Sequence, residues 1–569
     1  MAGAFAGGLY QVFAPTTFGL MLVGIAVGFL VGILPGLGGP TTLAVMLPFV
    51  FTMTPVEAFA FLLGMAAVTA TTGDITSILF GVPGEPTTAS TVVDGHPMAK
   101  RGEAGRALGA ALMSSLVGAI FGAVALAAAI PVVRPLVLSF GSPEFFMLAL
   151  VGLTFVAALS REAPMKGLIA GALGLLLATV GLDPQTGTQR YTFGQLFLWD
   201  GIGLVPVTVG LFAIPEIVDL AVRGTAISSP GVDRLGGVMD GVKDTFRHWR
   251  LVLRCSAIGA YVGVIPGMGG SVSQWLAYAH AVQSSPGKER FGAGAVEGVL
   301  GPGAANNSTL GGNLIPTVAF GVPGGVTTAI LLGAFIIQGL VPGPSMLIPE
   351  ARGGHLALTF SFVWTIVIAN LVAVAVSFLL LRRLVKVTQV RGGLLVPPIL
   401  LMVYLGAFAE KHQLWDLSLV LLFGGLGWLM ERFRWPRPPL ILGLVLGPLA
   451  ENRLFLATTN YGLAWLLRPW VLVLIALTLA GLLASALKAR RAARERPPAP
   501  EVARQAGGRW HAGFTLAIVS AAAWAMWQSQ GFSYRAGLFP WVIGVPLLAL
   551  ASVQLTREVA GREPTPADL

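Results

Sequence analysis

The chain has 569 residues, of which 55% are hydrophobic and 11% charged, with 74 Gly, 38 Pro and a single Cys. An ordinary soluble domain carries about 25% charged residues, and a soluble core this apolar would need a far larger charged shell. The composition therefore predicts a polytopic, all-α membrane protein with room for well over ten spans of about 20 residues, and excludes a cytosolic enzyme, a nucleic-acid-binding module and a disulfide scaffold.

The net charge of +10 reads as Lys and Arg gathered in short cytoplasmic loops, not as a polyanion site. The N-terminus lacks the basic region and small-residue cleavage site of a signal peptide, so its first apolar stretch reads as a retained span. Apolar stretches run over 14–34, 40–51, 56–72, 105–130, 144–160, 167–181 and 199–222. They resume at 251–265, 270–283, 306–320, 326–340 and 355–381, then at 393–408, 416–430, 438–449, 464–487, 512–528 and 537–555. Several are too short to span and are broken by Gly and Pro.

Basic loops mark one side of the membrane: Lys100, Arg101 and Arg106; Arg161 and Lys166; and Arg223 to Arg254. Span parity puts all three in the cytoplasm. Further basic groups are Lys288 and Arg290; Arg382, Arg383 and Lys386; and Lys488 to Arg509. The mixed-charge segment near 225–250 predicts a cytoplasmic connector, with an amphipathic helix at the membrane surface. The Ala-, Arg- and Pro-rich run 489–508 predicts a linker that sets off a final pair of spans. The expected organisation is a first repeat (1–222), a connector (223–250), the core of a second repeat (251–390), its remaining helices (391–488), a linker (489–511) and a terminal hairpin and tail (512–569).

The sequence contains itself twice. Gly32-Ile33-Leu34-Pro35-Gly36-Leu37-Gly38-Gly39 returns as Gly263-Val264-Ile265-Pro266-Gly267-Met268-Gly269-Gly270, at an offset of 231. Phe80-Gly81-Val82-Pro83-Gly84, with Thr87-Thr88-Ala89, returns as Phe320-Gly321-Val322-Pro323-Gly324, with Thr327-Thr328-Ala329, at an offset of 240. Two ordered motifs at nearly one offset indicate duplication. The loop charges swap between copies. Lys288 and Arg290 follow the first motif only in the second copy, whereas Lys100, Arg101 and Arg106 follow the second motif only in the first. Equivalent loops are thus expected on opposite sides, as in transporters built from inverted repeats with broken helices and re-entrant hairpins.

A helix broken at membrane depth exposes backbone N–H and C=O groups, tolerated only in protein or around a polar cavity. Its N-terminal half offers N–H donors and a partial positive charge, suited to an anion. Pro35 and Pro266 set the breaks; Gly36, Gly38, Gly39, Gly84, Gly267, Gly269, Gly270 and Gly324 let a ligand approach the backbone. Close helix packing is the competing explanation for these glycines. Polar candidates beside the first pair of breaks are Thr41, Thr42, Asp74, Thr76, Ser77, Glu85, Thr87 and Thr88. Those beside the second pair are Ser271, Ser273, Gln274, Asn306, Asn307, Ser308, Thr309, Asn313, Thr327 and Thr328. Asp74 is the expected coupling-ion group, since ionisable residues at membrane depth default to function; its alternative is an N-cap for a half-helix from Ile75 onward. Glu85 reads alternatively as the tip of a surface hairpin. Asn306 and Asn307 are neutral hydrogen bonders for a carboxylate or a Na⁺, or else interhelical glue. No nucleophile–base pair, metal cluster or phosphate loop is present. His96 and His248 fall in predicted polar loops, and Cys255 reads as a buried small hydrophobe. No cofactor is expected, and the coupling ion is Na⁺ or H⁺, with a Na⁺ position near Asp74 and Asn306.

At these motifs the sequence resembles the large membrane subunit of the tripartite tricarboxylate transporters. The similar residues are Gly32 to Gly39, Val82-Pro83-Gly84-Glu85 through Asp94-Gly95-His96-Pro97-Met98-Ala99, and Gly181-Leu182-Asp183-Pro184-Gln185-Thr186-Gly187. They continue through Gly201-Ile202, Val205-Pro206-Val207, Gly263 to Gly270, Ala304-Ala305-Asn306-Asn307, Gly321 to Gly324, and Gly339-Leu340-Val341-Pro342-Gly343-Pro344. They cover roughly residues 15–485 in family order. The resemblance implies a permease of the bacterial cytoplasmic membrane that takes a tricarboxylate or dicarboxylate from a periplasmic solute-binding protein, driven by a cation gradient and elevator-like. It also implies a small membrane subunit as partner. Two departures stand out. The family's Pro-Glu-Ala-Ala-Asn-Asn is here Pro302-Gly303-Ala304-Ala305-Asn306-Asn307, and a Tyr- and Gly-rich stretch is replaced by Val68 to Asp74. Residues 513–559, with Ala536-Gly537-Leu538-Phe539-Pro540, resemble the first half of the small subunit, so 512–569 is expected to replace part of that partner. The alternatives are a stand-alone organic-anion transporter or exporter without a binding protein, and a structural membrane protein with duplication but no transport.

Overall fold

The computed structural model describes residues 1–32, 38–158, 164–223, 236–387, 396–495 and 501–560, and it is all-α apart from one antiparallel bridge pairing Gly181–Leu182 with Gln189–Arg190. Among the described residues, six helices are long and apolar enough to cross a membrane: Pro15–Gly32, Pro55–Phe80, Ala89–Leu138, Leu356–Leu381, Pro438–Leu467 and Tyr534–Val559. Other apolar helices are shorter, among them Val326–Ile337 and Pro164–Leu177. The chain packs as two units: Met1–Ser139 with Thr208–His412, and Phe140–Val207 with Gln413–Leu569.

In the first unit eight helices come in two matching series. The first is α1 (Pro15–Gly32), α2 (Gly39–Met46), α3 (Pro55–Phe80) and α4 (Ala89–Met98). The second is α5 (Trp249–Val264), α6 (Gly269–Ser284), α7 (Glu297–Phe320) and α8 (Val326–Ile337). Pro55 opens α3 behind a Thr54–Glu57 capping box, which satisfies the first orphan donors. Both α3 and α7 end on a left-handed glycine, Gly81 and Gly321, ahead of the Val-Pro-Gly motif.

The two series share their packing residue by residue. A Cβ on Gly28 of α1 would lie 2.7 Å from the Met65 carbonyl oxygen of α3. A Cβ on Gly259 of α5 would lie 2.5 Å from the carbonyl oxygen of Ala305 of α7. One step on, Gly32 rests on Thr69 and Gly263 on Thr309. Each partner is the other's counterpart at the offsets of the sequence repeat. Glycines at both crossings let backbones meet where any larger residue would push the helices apart. The position matching Gly24 is Cys255, fully buried against Gly301, so Cys255 is the small packing residue expected.

Two alternatives fall and one expectation changes. Asp74 does not cap a half-helix: α3 runs unbroken through it. The hydroxyls of Thr72 and Thr76 donate to carbonyls three or four residues back, which satisfies them inside the helix. Glu85 is not on a surface tip but is 7% exposed. His96 lies in α4, not in a polar loop, with Nδ1 3.2 Å from the Ile78 carbonyl and its ring against Gly81. The expected amphipathic helix is present over Val238–Arg247; its buried Asp244 accepts a 2.7 Å hydrogen bond from Arg106. Around the expected linker the chain is helical over Pro469–Glu495 and Glu501–Ser529.

The second unit is braced by buried ion pairs. Arg190 donates to both carboxylate oxygens of Glu451 at 2.5 and 3.1 Å, lies 3.4 Å from Asp183, and also donates to the carbonyl of Ala536. Lys166 sits 3.3 Å from Glu558, which also accepts from Thr515 and Gln554. Tyr191 donates to the Ala525 carbonyl, and burial pushes its phenol up to about 12. The terminal hairpin is thereby an integral part of this unit.

Candidate functional site

The site lies wholly in the first unit, where the two half-helices α2 and α6 begin. Pro35 and Gly36 fall outside the described residues. Gly38 is the N-cap of α2, and Gly39 opens it. The Gly39 N–H donates to Glu85 Oε2 at 3.0 Å. The Thr87 hydroxyl donates to Glu85 Oε1. The carboxylate of the Val-Pro-Gly tip thus sits on the N-terminus of α2, where free N–H groups and the helix dipole favour an anion.

The tip that carries Glu85 is held by close backbone contact. A Cβ on Gly84 would lie 2.6 Å from the Gly73 Cα and from Thr76 Oγ1, so only glycine fits. Ser77 Oγ donates to Thr88 Oγ1 at 2.8 Å, and Thr88 Oγ1 donates to the Glu85 carbonyl at 3.0 Å. Ser77 and Thr88 therefore fasten the tip. The second copy repeats the fastening. Gly324 presses on Asn313, and Thr328 Oγ1 exchanges 3.1 Å hydrogen bonds with the backbone of Gly325.

At the second break, beside Pro266, Gly267 (φ +80°) donates to the Gly324 carbonyl at 3.0 Å, and Gly269 (φ +60°) opens α6 without a side-chain cap. A Cβ on Gly270 would be 2.9 Å from Thr87 Cγ2 and 4.0 Å from Asn306 Oδ1. Thr87 therefore stands between the two half-helix N-termini, hydrogen-bonded to Glu85 on one side and touching Gly270 on the other. Asn306 donates to the Ala70 carbonyl at 2.9 Å. Asn307 donates to Thr71 Oγ1 and Asn370 Oδ1, each at 2.7 Å. These bonds tie α7 to α3 and to the helix Leu356–Val387.

The structure brings together Gly38, Gly39, Gly84, Thr87, Gly270 and Asn306. Thr41 is buried within α2; Ser271 and Thr327 are half-buried in the first turns of α6 and α8. Ser308 donates to the Ala305 carbonyl and packs on Gly259, away from the cluster. Gly303, the family departure, faces Ser114 and accepts from Ser115 through its carbonyl at 3.2 Å. Sequence reasoning missed the role of Glu85, because its partner Gly39 is 46 residues away. It also missed Asp94. That carboxylate accepts N–H bonds from Gly292, Gly294 and Ala295 at 2.8–2.9 Å, and one from the Tyr278 hydroxyl at 3.0 Å.

A family model described as "Tripartite tricarboxylate transporter TctA family" matches residues 18–442, a span that encloses both motif copies. The chain belongs to this family. It is similar to a 52.8 kDa protein in the TAR-I ttuC' 3' region of Agrobacterium vitis, 33% identical over 492 residues, covering 86% of this chain and 97% of that protein. A protein in the TAR-II ttuC' 3' region of the same organism is 32% identical over 196 residues, covering 34% of this chain and 79% of its own. No solved structure matches. Membership in the TctA family makes the chain a membrane-embedded, multi-pass component of a tricarboxylate transporter. The terminal hairpin lies beyond the matched residues.

Proposed function

We propose that the chain imports a tricarboxylate or dicarboxylate across the bacterial cytoplasmic membrane, coupled to a cation gradient and supplied by a periplasmic solute-binding protein. The observation that carries this reading is the seat of Glu85: the chain's own carboxylate occupies the N-terminus of α2. The matching position in the second copy is Gly325, so no side chain fills the corresponding place at α6. A substrate carboxylate would bind there by the same chemistry, through N–H groups of the first turn, with Thr87 and Asn306 at the border.

The swapped loop charges support inverted copies, and inverted copies around a midplane site support elevator-like alternation, by analogy of architecture. The bracing of the terminal hairpin by Arg190 and Lys166 supports its standing in for half of the small subunit.

The test is uptake of labelled di- and tricarboxylates into proteoliposomes holding the full chain, with and without the binding protein, under an imposed Na⁺ or H⁺ gradient. Uptake that needs both gradient and binding protein is expected. Uptake that ignores the binding protein replaces this reading with a stand-alone anion transporter. No uptake by folded, inserted protein supplied with a small subunit overturns it.

A further inference from the structure

Asp74 is a buried carboxylate that the packing of α3 does not use. It is 1% exposed, and neither of its oxygens has a hydrogen-bond partner. Beside it stands the hydroxyl of Thr91 on α4, fully buried and also without a partner. The second copy provides an internal control. The counterparts of Asp74 and Thr91 are Leu314 and Leu331, buried at 1% and 0% exposure. The same helix pair is therefore built from two leucines in one copy and an acid and a hydroxyl in the other. The fold does not require the polar pair.

An ionised carboxylate without donors is strongly disfavoured in such surroundings. A neutral acid is not: its O–H can donate to Thr91 Oγ1, and the bond satisfies both groups. Glu85, also buried, differs in having donors. It accepts from Gly39 N–H and Thr87 O–H, and both bonds favour its charged form. Glu85 is also the acid whose charge, when present, acts on Asp74. Of the other titratable groups nearby, Asp94 is turned to the amides of 292–295 and His96 to Ile78 and Gly81. Glu57 lies in the first turn of α3, and Glu297 opens α7, paired with Arg290. The helices α1, α2 and α8 and the span Leu356–Leu381, which also packs on α3, carry no titratable side chain. The helix Ala104–Leu138 carries Arg106 and Arg134 near its ends, and Arg106 pairs with Asp244.

We propose that Asp74 is the coupling proton site, binding H⁺ against Thr91 so that a substrate carboxylate can join Glu85 in the adjacent cluster. This rests on the transport reading above. A second carboxylate beside Glu85 is repelled by an ionised Asp74 and tolerated by a protonated one, so proton and substrate bind together. The proton enters from the side where substrate loads and leaves when Asp74 meets water on the other. Na⁺ suits the position poorly. Asp74 lies in an unbroken helix whose carbonyls are engaged along its own axis, leaving two carboxylate oxygens and one hydroxyl as ligands.

The full chain in proteoliposomes, given labelled carboxylates and the binding protein, tests this. A pH gradient alone should drive accumulation, and exchange should fall about tenfold from about pH 6 to pH 9, since loss of the proton removes substrate binding. Asp74→Asn should lose gradient-driven accumulation and flatten the pH dependence of exchange. Wild type should show an infrared carboxylic-acid C=O band near neutral pH that Asp74→Asn lacks; Thr91→Val should shift that band. If Asp74→Asn does not fold, Thr91→Val and Asp74→Leu, which copies the second repeat, carry the same readouts. Accumulation driven by Na⁺ alone, or a pH profile and infrared band unchanged in the Asp74 variants, would overturn the inference and leave the transport reading standing. Absence of any carboxylate exchange by folded wild type would overturn both.

Discussion

The two copies of the helix series are built to one plan and furnished differently. In both, glycines seat one helix on the next, a left-handed glycine ends the buried helix, and a threonine fastens the following tip. The first copy carries acids at Asp74 and Glu85, where the second has Leu314 and Gly325. The second carries amides at Asn306 and Asn307, where the first has Ala66 and Ala67. What is shared is what the packing needs. Of what differs, Glu85 and Asn306 lie beside Thr87 and Gly270.

This comparison can be broken or sharpened. The largest effect is expected where the copies agree. Gly84→Val and Gly324→Val each drive a side chain into backbone and should each cost about 3 kcal/mol. Size-exclusion profiles and thermal unfolding in detergent check this; tolerance in one copy only would show that the tips are not equivalent. Next comes Asn307→Ala, which deprives Thr71 and Asn370 of a buried donor and should lower stability by about 2 kcal/mol in the same unfolding measurement. Gly325→Glu gives the second copy the acid of the first. If α6 receives the substrate carboxylate, the new side chain competes with it, and substrate affinity should fall about tenfold, or about 1.4 kcal/mol, in a binding titration. Unchanged affinity would place the substrate elsewhere. Smallest is Cys255→Ala, a buried packing change expected to cost about 1 kcal/mol with uptake retained.

The frame was legible in the sequence because Gly and Pro report backbone demands directly. The paired motifs gave the breaks at Pro266 and the tips at Gly84 and Gly324, each now explained by a close approach. Of the two readings of Asp74, the N-cap falls, because the helix runs on through Thr72-Gly73-Asp74. The hydroxyls there are satisfied on the helix's own carbonyls, and Gly73 is present to receive Gly84, not to break the chain. Glu85 and Thr91 were illegible in role, since their meaning depends on partners brought close only by folding. The offset of the repeat was the signal that could have found them. Set against Gly325 and Leu331, both stand out as polar residues that the duplicated frame does not need.

The grip of Asp94 on Gly292, Gly294 and Ala295 also bears on how the protein is made. That carboxylate belongs to the first copy, and its donors lie about 200 residues later, Ala295 at a separation of 201. At a synthesis rate of about 5–20 residues per second, the acid waits about 10–40 s for its donors to leave the ribosome. During that interval the first copy lacks these partners. Its last helix closes only when the second copy arrives, so a nascent chain halted between the copies would present an unsatisfied carboxylate to the quality-control machinery of the membrane.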